Sequence, residues 1–413
     1  MKRIATCALL ACVACASSCS SHAGLHEVAV ASLTSTDSVI AVRLSNASVL
    51  SGGIPRPSRG YTAFLAEDGT GSIASTGGIR GSIIQWTPVG AFFASAADEY
   101  VSTDAGTTRT PRDARQQYEI GRYPLSDGGA AAFYVDANQP LYTVAPDGSS
   151  TRTNNIGLFQ NNGQCGDRIM ALTETQHSRD LAASAAEAYA ATHPLDPMPD
   201  SFDMLVELSD HDGDLPAVVG VAPRDETLES GQQMFACDGT LVVIPTLARA
   251  HPDASRENGL DPADGRLVLQ SWDLSTGART ITPVTTSEGD PIDLSRSREV
   301  HLSQGILVGR EYRFVSARGD VYTVNIDTAV GRYVGSIGAQ QGEERTVFQV
   351  TERGVYALTT SPQDLRVTLT RHPWDGGQEQ TILSTADLAP YLAGNLLTDS
   401  LSVDSFALRP GWG

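Results

Sequence analysis

The sequence predicts an all-β ring of seven four-stranded antiparallel blades with one inserted short helix, and three observations predict it. Apolar and polar residues alternate with period two from about residue 60 onward, while the 3.6-residue period of an amphipathic helix is rare. Seven times a β-type run meets a turn rich in Asp, Gly, Ser or Pro and is followed by a second short β-type run. Successive starts of these patterns are 37, 42, 63, 63, 54 and 46 residues apart. The short spacings match the roughly 40–50 residues of one four-stranded blade, so the expected architecture is a seven-bladed β-propeller. The count rests on the hairpins, with six or eight blades as the alternatives.

The hairpins justify the blades one by one. They are TAFLAEDGTGSIAS from Thr62, EYVSTDAGTTRT from Glu99, LYTVAPDGSSTRT from Leu141 and MLVELSDHDGDLPAVV from Met204. LVLQSWDLSTGARTI from Leu267, VYTVNIDTAVGRYV from Val321 and VTLTRHPWDGGQEQTI from Val367 complete the set. Their turn residues either tolerate positive φ or hydrogen-bond their own backbone. A further strand precedes several of them, as in AAAFYVDANQPLYTV from Ala130 and YRFVSARGDVYTV from Tyr312. VIAVRL (39–44) and SVDSFAL (402–408) are expected to complete the first blade from the two ends of the chain, which removes exposed sheet edges.

The long spacings have visible causes. SRDLAASAAEAYAAT (178–192) is Ala-rich and reads as an inserted helix ended by His193-Pro194. ARAHPDASRENGLDPADG (248–265) is polar and turn-rich. The expected organisation is therefore a signal peptide over 1–18, a tether over 19–38 and a propeller over 39–413, with insertions at about 176–200 and 248–265.

The first eighteen residues are an export signal. Lys2 and Arg3 form a basic start, Ile4 to Ala16 is apolar, and small residues follow. Three of the six cysteines, Cys7, Cys12 and Cys15, lie within this signal, and Cys19 follows directly after. A metal site there is not expected, because a translocating apolar segment offers no outer groups to orient thiolates. The run Ala16-Ser17-Ser18-Cys19 resembles the lipobox of bacterial lipoproteins, although the first position, usually Leu, is Ala16. The resemblance implies that Cys19 is diacylated and becomes the new N-terminus. Ordinary cleavage after Ala23 is the alternative.

Export leaves Cys165 and Cys237 as the only cysteines of the folded body, and in an oxidising compartment they are expected to pair. NGQCGDRIMAL and QMFACDGTLVV set them in similar contexts, so equivalent strands of neighbouring blades would let the bridge staple blade to blade. Two buried free thiols are the alternative.

The chain carries 29 basic and 48 acidic residues, a net charge of -19. That balance argues against nucleic acid, which needs a basic footprint. The acidic surface suits a cationic or protein partner better than an anionic one.

Over about residues 40–413 the chain resembles the bacterial seven-bladed β-propellers, a broad group with WD-repeat-like, quinoprotein-like and YVTN-type repeats. The resemblance is architectural and implies fold rather than activity. The adjacent cysteines and repeated tryptophan motifs of quinoprotein dehydrogenases are absent, and Trp272 and Trp374, each before an Asp, read as strand-end packing.

Asp210-His211-Asp212-Gly213-Asp214 is the most pointed local motif. Carboxylates at alternate positions of a turn can converge on Ca²⁺, a hard cation that takes oxygen ligands, so Asp210, Asp212 and Asp214 are the candidate metal ligands. The motif resembles the calcium loops of integrin-type and dockerin-type repeats, but Leu215-Pro216 stands where those carry Gly, and a solvated hairpin turn is the bland reading. Ser102 to Arg109 (STDAGTTR) is similar to a sialidase Asp-box, with Arg109 in place of the terminal aromatic. GxSxG, HExxH and P-loop patterns do not occur.

The functional expectation is an exported, lipid-anchored propeller that acts as a non-catalytic binding or scaffold protein at the cell envelope. It touches the membrane only through its anchor, is monomeric, needs no cofactor, and engages an envelope protein, a glycan or a small solute. The competing expectation is a hydrolase or lyase with a carboxylate or Ca²⁺ site at a channel end. The two differ in whether three or more ionisable residues from different blades converge near the axis.

Overall fold

The computed structural model describes residues 24–46, 59–136, 138–159, 161–211, 213–228, 235–249, 265–292, 302–316, 318–337, 345–394 and 400–412. These form seven antiparallel sheets arranged as the blades of a β-propeller. Six blades take four consecutive strands each and are numbered here in chain order. Blade 1 spans 85–111, blade 2 118–153, blade 3 161–223, blade 4 236–283, blade 5 302–336 and blade 6 345–385.

The seventh, closing blade is built from both ends of the chain. Its innermost strand is the C-terminal Ser402–Leu408, paired antiparallel with Ile40–Ser45, and Gly60–Leu65 and Gly71–Ser75 complete the four strands. Innermost strands of successive blades touch all the way round, and Ser402–Leu408 packs between those of blades 6 and 1. The seven hairpins read from the sequence are the two outer strands of the seven blades.

The tether expected over 19–38 is folded from residue 24 onward. Leu25–Glu27 pairs in parallel with Gly71–Ser75 and adds a fifth strand to the outer edge of the closing blade. Leu25 and Leu33 are buried, and these two apolar side chains give the segment a reason to leave solvent. The insertion at 176–200 forms a short 3₁₀ turn, Arg179–Leu181, and a helix, α1 (Ala182–Thr192). Pro194 disfavours helical geometry at the preceding residue, and His193 leaves it at φ −130° and ψ 61°. Most of the insertion at 248–265 lies outside the described residues.

The outer turns form because their own side chains satisfy the backbone. In the closing blade Asp68 Oδ1 accepts from Thr70 N at 2.9 Å, in blade 2 Asp147 Oδ1 accepts from Ser149 N at 2.8 Å, and in blade 4 Asp273 Oδ1 accepts from Ser275 N at 2.7 Å. Gly148, at φ 86°, follows Asp147 because an L side chain there would be strained. Much of the acidic excess is therefore turn chemistry.

The hydrophobic core lies between blades rather than in one centre. Phe64 of the closing blade meets Trp86 of blade 1 edge-on at 5.4 Å, and Phe92, Tyr134 and Tyr142 join blades 1 and 2. The inner strands of each sheet are covered on both faces, so polar positions there face another blade.

Candidate functional site: a buried ionic layer at the ring closure

The densest gathering of ionisable groups among the described residues spans the closing blade, blade 1 and blade 2. Arg43, in the apolar strand Ile40–Ser45, is fully buried and reaches toward blade 1. Its Nε donates to Ser82 Oγ at 2.8 Å, and Nη1 donates to Thr62 Oγ1 at 2.8 Å and Thr76 Oγ1 at 2.5 Å. Nη2 donates to Gly77 O at 2.9 Å and to Ala94 O of blade 1 at 2.7 Å. Burial lowers the Arg43 pKa to about 10, with Asp404 the largest opposing charge.

Asp404 sits on the innermost strand of the closing blade. Burial raises its pKa to about 6 against the favourable pull of Ser45, Arg43 and Ser402, whose Oγ donates to Asp404 Oδ1 at 3.1 Å. Beside it Ser405 Oγ donates to Ser82 O and accepts from Ile84 N, both at 2.9 Å, which ties the last strand of the chain to the segment leading into blade 1.

A second cluster joins blades 1 and 2. Glu99 receives Arg112 Nη1 at 2.6 Å and Arg122 Nη2 at 3.0 Å, and Arg122 Nε donates to Glu119 Oε1 at 2.6 Å. All four side chains are at most 1% exposed. Tyr134 donates its hydroxyl to Glu99 and lies under the Arg112 guanidinium at 4.6 Å. Glu119 also accepts from Ile83 N at 3.2 Å; burial raises its pKa while Arg122 opposes the rise. Two arginines thus face two glutamates in a neutral, solvent-excluded quartet.

Chemically, this layer is occupied with itself. Its carboxylates are paired or hydrogen-bonded, and the hydroxyls beside them, Ser402 on Asp404 and Tyr134 on Glu99, belong to the same network. Ionisable groups from three blades do converge, as an enzyme reading requires, but they meet between sheets. Their clear effect is to lock the closure, since removing one member of a buried ion pair leaves the other uncompensated.

The residues singled out from sequence fall elsewhere. Cys165 ends the innermost strand of blade 3 and Cys237 that of blade 4; they form a disulfide with Cα atoms 5.1 Å apart. Cys19 and Asp212 lie outside the described residues. Asp210 and Asp214 are exposed in the outer turn of blade 3, where Asp214 Oδ1 accepts from Asn154 Nδ2 at 3.1 Å. Among the described residues no group of three His, Cys, Asp or Glu is placed to hold a metal ion. In the Asp-box-like turn, Asp104 accepts from Ser35 Oγ at 3.0 Å and pairs with Arg409 at 3.4 Å, while Arg109 turns back to Asp98 at 3.0 Å. That turn fastens the segments flanking the closure. Trp272 and Trp374 pack at strand ends, with Nε1 donating to Gln270 Oε1 at 3.0 Å and Thr351 O at 2.8 Å.

Sequence reasoning missed Arg43, Glu99, Arg112, Glu119, Arg122, Tyr134 and Asp404. The available signal was a charge inside an otherwise apolar strand, as in VIAVRL.

The fold defines the class: a seven-bladed β-propeller closed by its own C-terminal strand. No family model matches the chain, and no curated protein matches it. Among solved structures it is similar to the β-propeller domain of the Trilobed protease from Pyrococcus furiosus, at 9% identity over 84% of this chain and 95% of that one, with a TM-score of 0.44. It is also similar to a quinonprotein alcohol dehydrogenase-like protein from Bacteroides thetaiotaomicron, at 11% identity over 88% and 94% of the two chains and a TM-score of 0.39. BamB from Moraxella catarrhalis is similar at 12% identity over 72% and 75%, with a TM-score of 0.34. At these values none of them bears on what this chain does.

Proposed function

We propose that the chain is an exported β-propeller, lipid-anchored at Cys19, that works at the extracytoplasmic face of the cell membrane as a non-catalytic binding protein, with an envelope protein as its partner. The observation that carries the non-catalytic part is the self-pairing of the central ionisable groups. Reactive constellations need an accessible base or nucleophile, and the quartet of blades 1 and 2 offers neither.

A surface suited to binding lies at the end of α1. Leu195 is 94% exposed and Met198 51% exposed, set among Pro194, Pro197 and Pro199 and flanked by Asp196 and Asp200. Prolines hold such an elbow with little conformational freedom to lose on binding. Its apolar side chains and acidic flanks fit a protein pocket with a cationic rim.

Two experiments test this reading. Cys19→Ala should release the protein from the membrane fraction, and unchanged retention would defeat the anchor. Crosslinking in intact cells should yield a defined adduct that is lost in a Leu195→Asp, Met198→Asp variant whose melting temperature is unchanged. An adduct that survives the double substitution counts against the elbow.

One observation favours a hydrolase or lyase instead: Asp404, with its raised pKa on an innermost strand, resembles a general acid in protonation behaviour. Glycoside cleavage by acid catalysis needs a second carboxylate across the scissile bond. Calcium at Asp210, Asp212 and Asp214 belongs to this second reading, and a chelator-sensitive melting temperature would support it.

A further inference from the structure

The anchor reading has a geometric consequence. The backbone is locked into the closing blade from Gly24, whose carbonyl accepts from Gly71 N at 2.7 Å, and again at Val28, whose N–H donates to Ile73 O at 2.9 Å. Only four residues lie between Cys19 and Gly24, five Cα–Cα steps in all. At full stretch they span at most ~18 Å. Gly24 lies at the outermost edge of its sheet, beside Thr70 and next to Asp387 of the segment following blade 6. A lipid on Cys19 therefore ties one defined point of the circumference to the bilayer.

Ring topology fixes what lies opposite. Counting from the closing blade in either direction, blades 3 and 4 are the two farthest from it. Both insertions belong to these blades: α1 and its exposed elbow lie between strands of blade 3, and residues 250–264 join strands of blade 4. The disulfide joins the same two blades. Among the described residues, α1 with its exposed elbow and the disulfide thus lie away from the tether.

We propose, building on the anchor reading, that the outer edge of the closing blade is the membrane-proximal edge of the ring and that blades 3 and 4 form its membrane-distal edge. Glu27, Glu67 and Asp68 are exposed around the tether exit. They disfavour flat adsorption to anionic headgroups. At physiological salt that repulsion is screened over ~8 Å, less than the reach of the tether, so the edge stands off the bilayer while remaining tied to it.

The test uses the full lipidated chain in vesicles of phosphatidylethanolamine and phosphatidylglycerol that carry a headgroup energy acceptor. A donor is attached through His26→Cys at the proximal edge, Leu195→Cys on blade 3 or Ala278→Cys on blade 4, all exposed positions. Transfer from position 26 should exceed that from 195 and 278 several-fold. Equal transfer from all three, with the protein vesicle-bound, overturns the orientation and leaves the anchor intact. If the parent chain and Cys19→Ala both stay off the vesicles, the anchor reading fails and the orientation fails with it. That outcome is told apart by sedimentation alone.

Discussion

Replacing Glu99 with Gln keeps the shape of the side chain and removes one charge from the buried quartet. Arg112, which donates to Glu99 at 2.6 Å, would then lose its carboxylate partner, and Arg122, at 3.0 Å from Glu99, would keep only Glu119. Because all four groups are solvent-excluded, water cannot compensate, and breaking such a pair costs about 3–5 kcal/mol. An unfolding entropy of roughly 2.1 cal/mol/K per residue gives ~0.9 kcal/mol/K for a chain of 413 residues. The melting temperature should therefore fall by about 3–6 °C by calorimetry or circular dichroism. Adding Arg112→Gln restores neutrality and should recover part of that loss, so the two substitutions should be strongly non-additive. A fall of less than ~1 °C, or simple additivity, would refute the claim that this layer locks the blades.

Other expectations follow from the same structure. Asp404 has a folded pKa near 6 against an ordinary value of 3.8. The folded state holds its proton more tightly, so stability is lost as pH rises from about 4 to about 6, by roughly 3 kcal/mol. Asp404→Asn should flatten that slope and raise the melting temperature at pH 7 but not at pH 4; an unaltered slope would assign it to other groups. Reducing Cys165–Cys237, which are 72 residues apart, should cost about 4 kcal/mol on chain-entropy grounds, read as a shift in the denaturation midpoint. Thiol counting by mass should find two alkylatable cysteines only after reduction. Truncation before Ser402 removes the innermost strand of the closing blade and exposes the edge of Ile40–Ser45, so the product should aggregate more than the full chain by light scattering.

The local chemistry of the chain already specifies most of the architecture. Asp and Asn beside or near Gly, Ser and Thr favour a turn through their own hydrogen bonds, which is why the outer hairpins could be read directly. The pairing of VIAVRL with SVDSFAL was also legible, because both are β-type runs at opposite ends of a chain whose ring has to close. Cys165 and Cys237 announced themselves by similar contexts, although their bridging depends on the 5.1 Å that neighbouring blades bring about. The ionic layer was not legible. Alternation normally sorts a strand into a buried and a solvated face, so Arg43, Glu99 and Arg122 read as solvent-facing. In a closed ring both faces of a blade's inner strands are covered by neighbours, and those charges become interior. Leu25 went unnoticed for the opposite reason: three residues carry no periodicity, and only the exposed edge of Gly71–Ser75 gives them a place to pair. Turns and strands arise from interactions a few residues long, whereas burial of a charge depends on surfaces that arrive from farther along the chain, tens of residues away at Glu99 and Arg43 and 321 at Ser405.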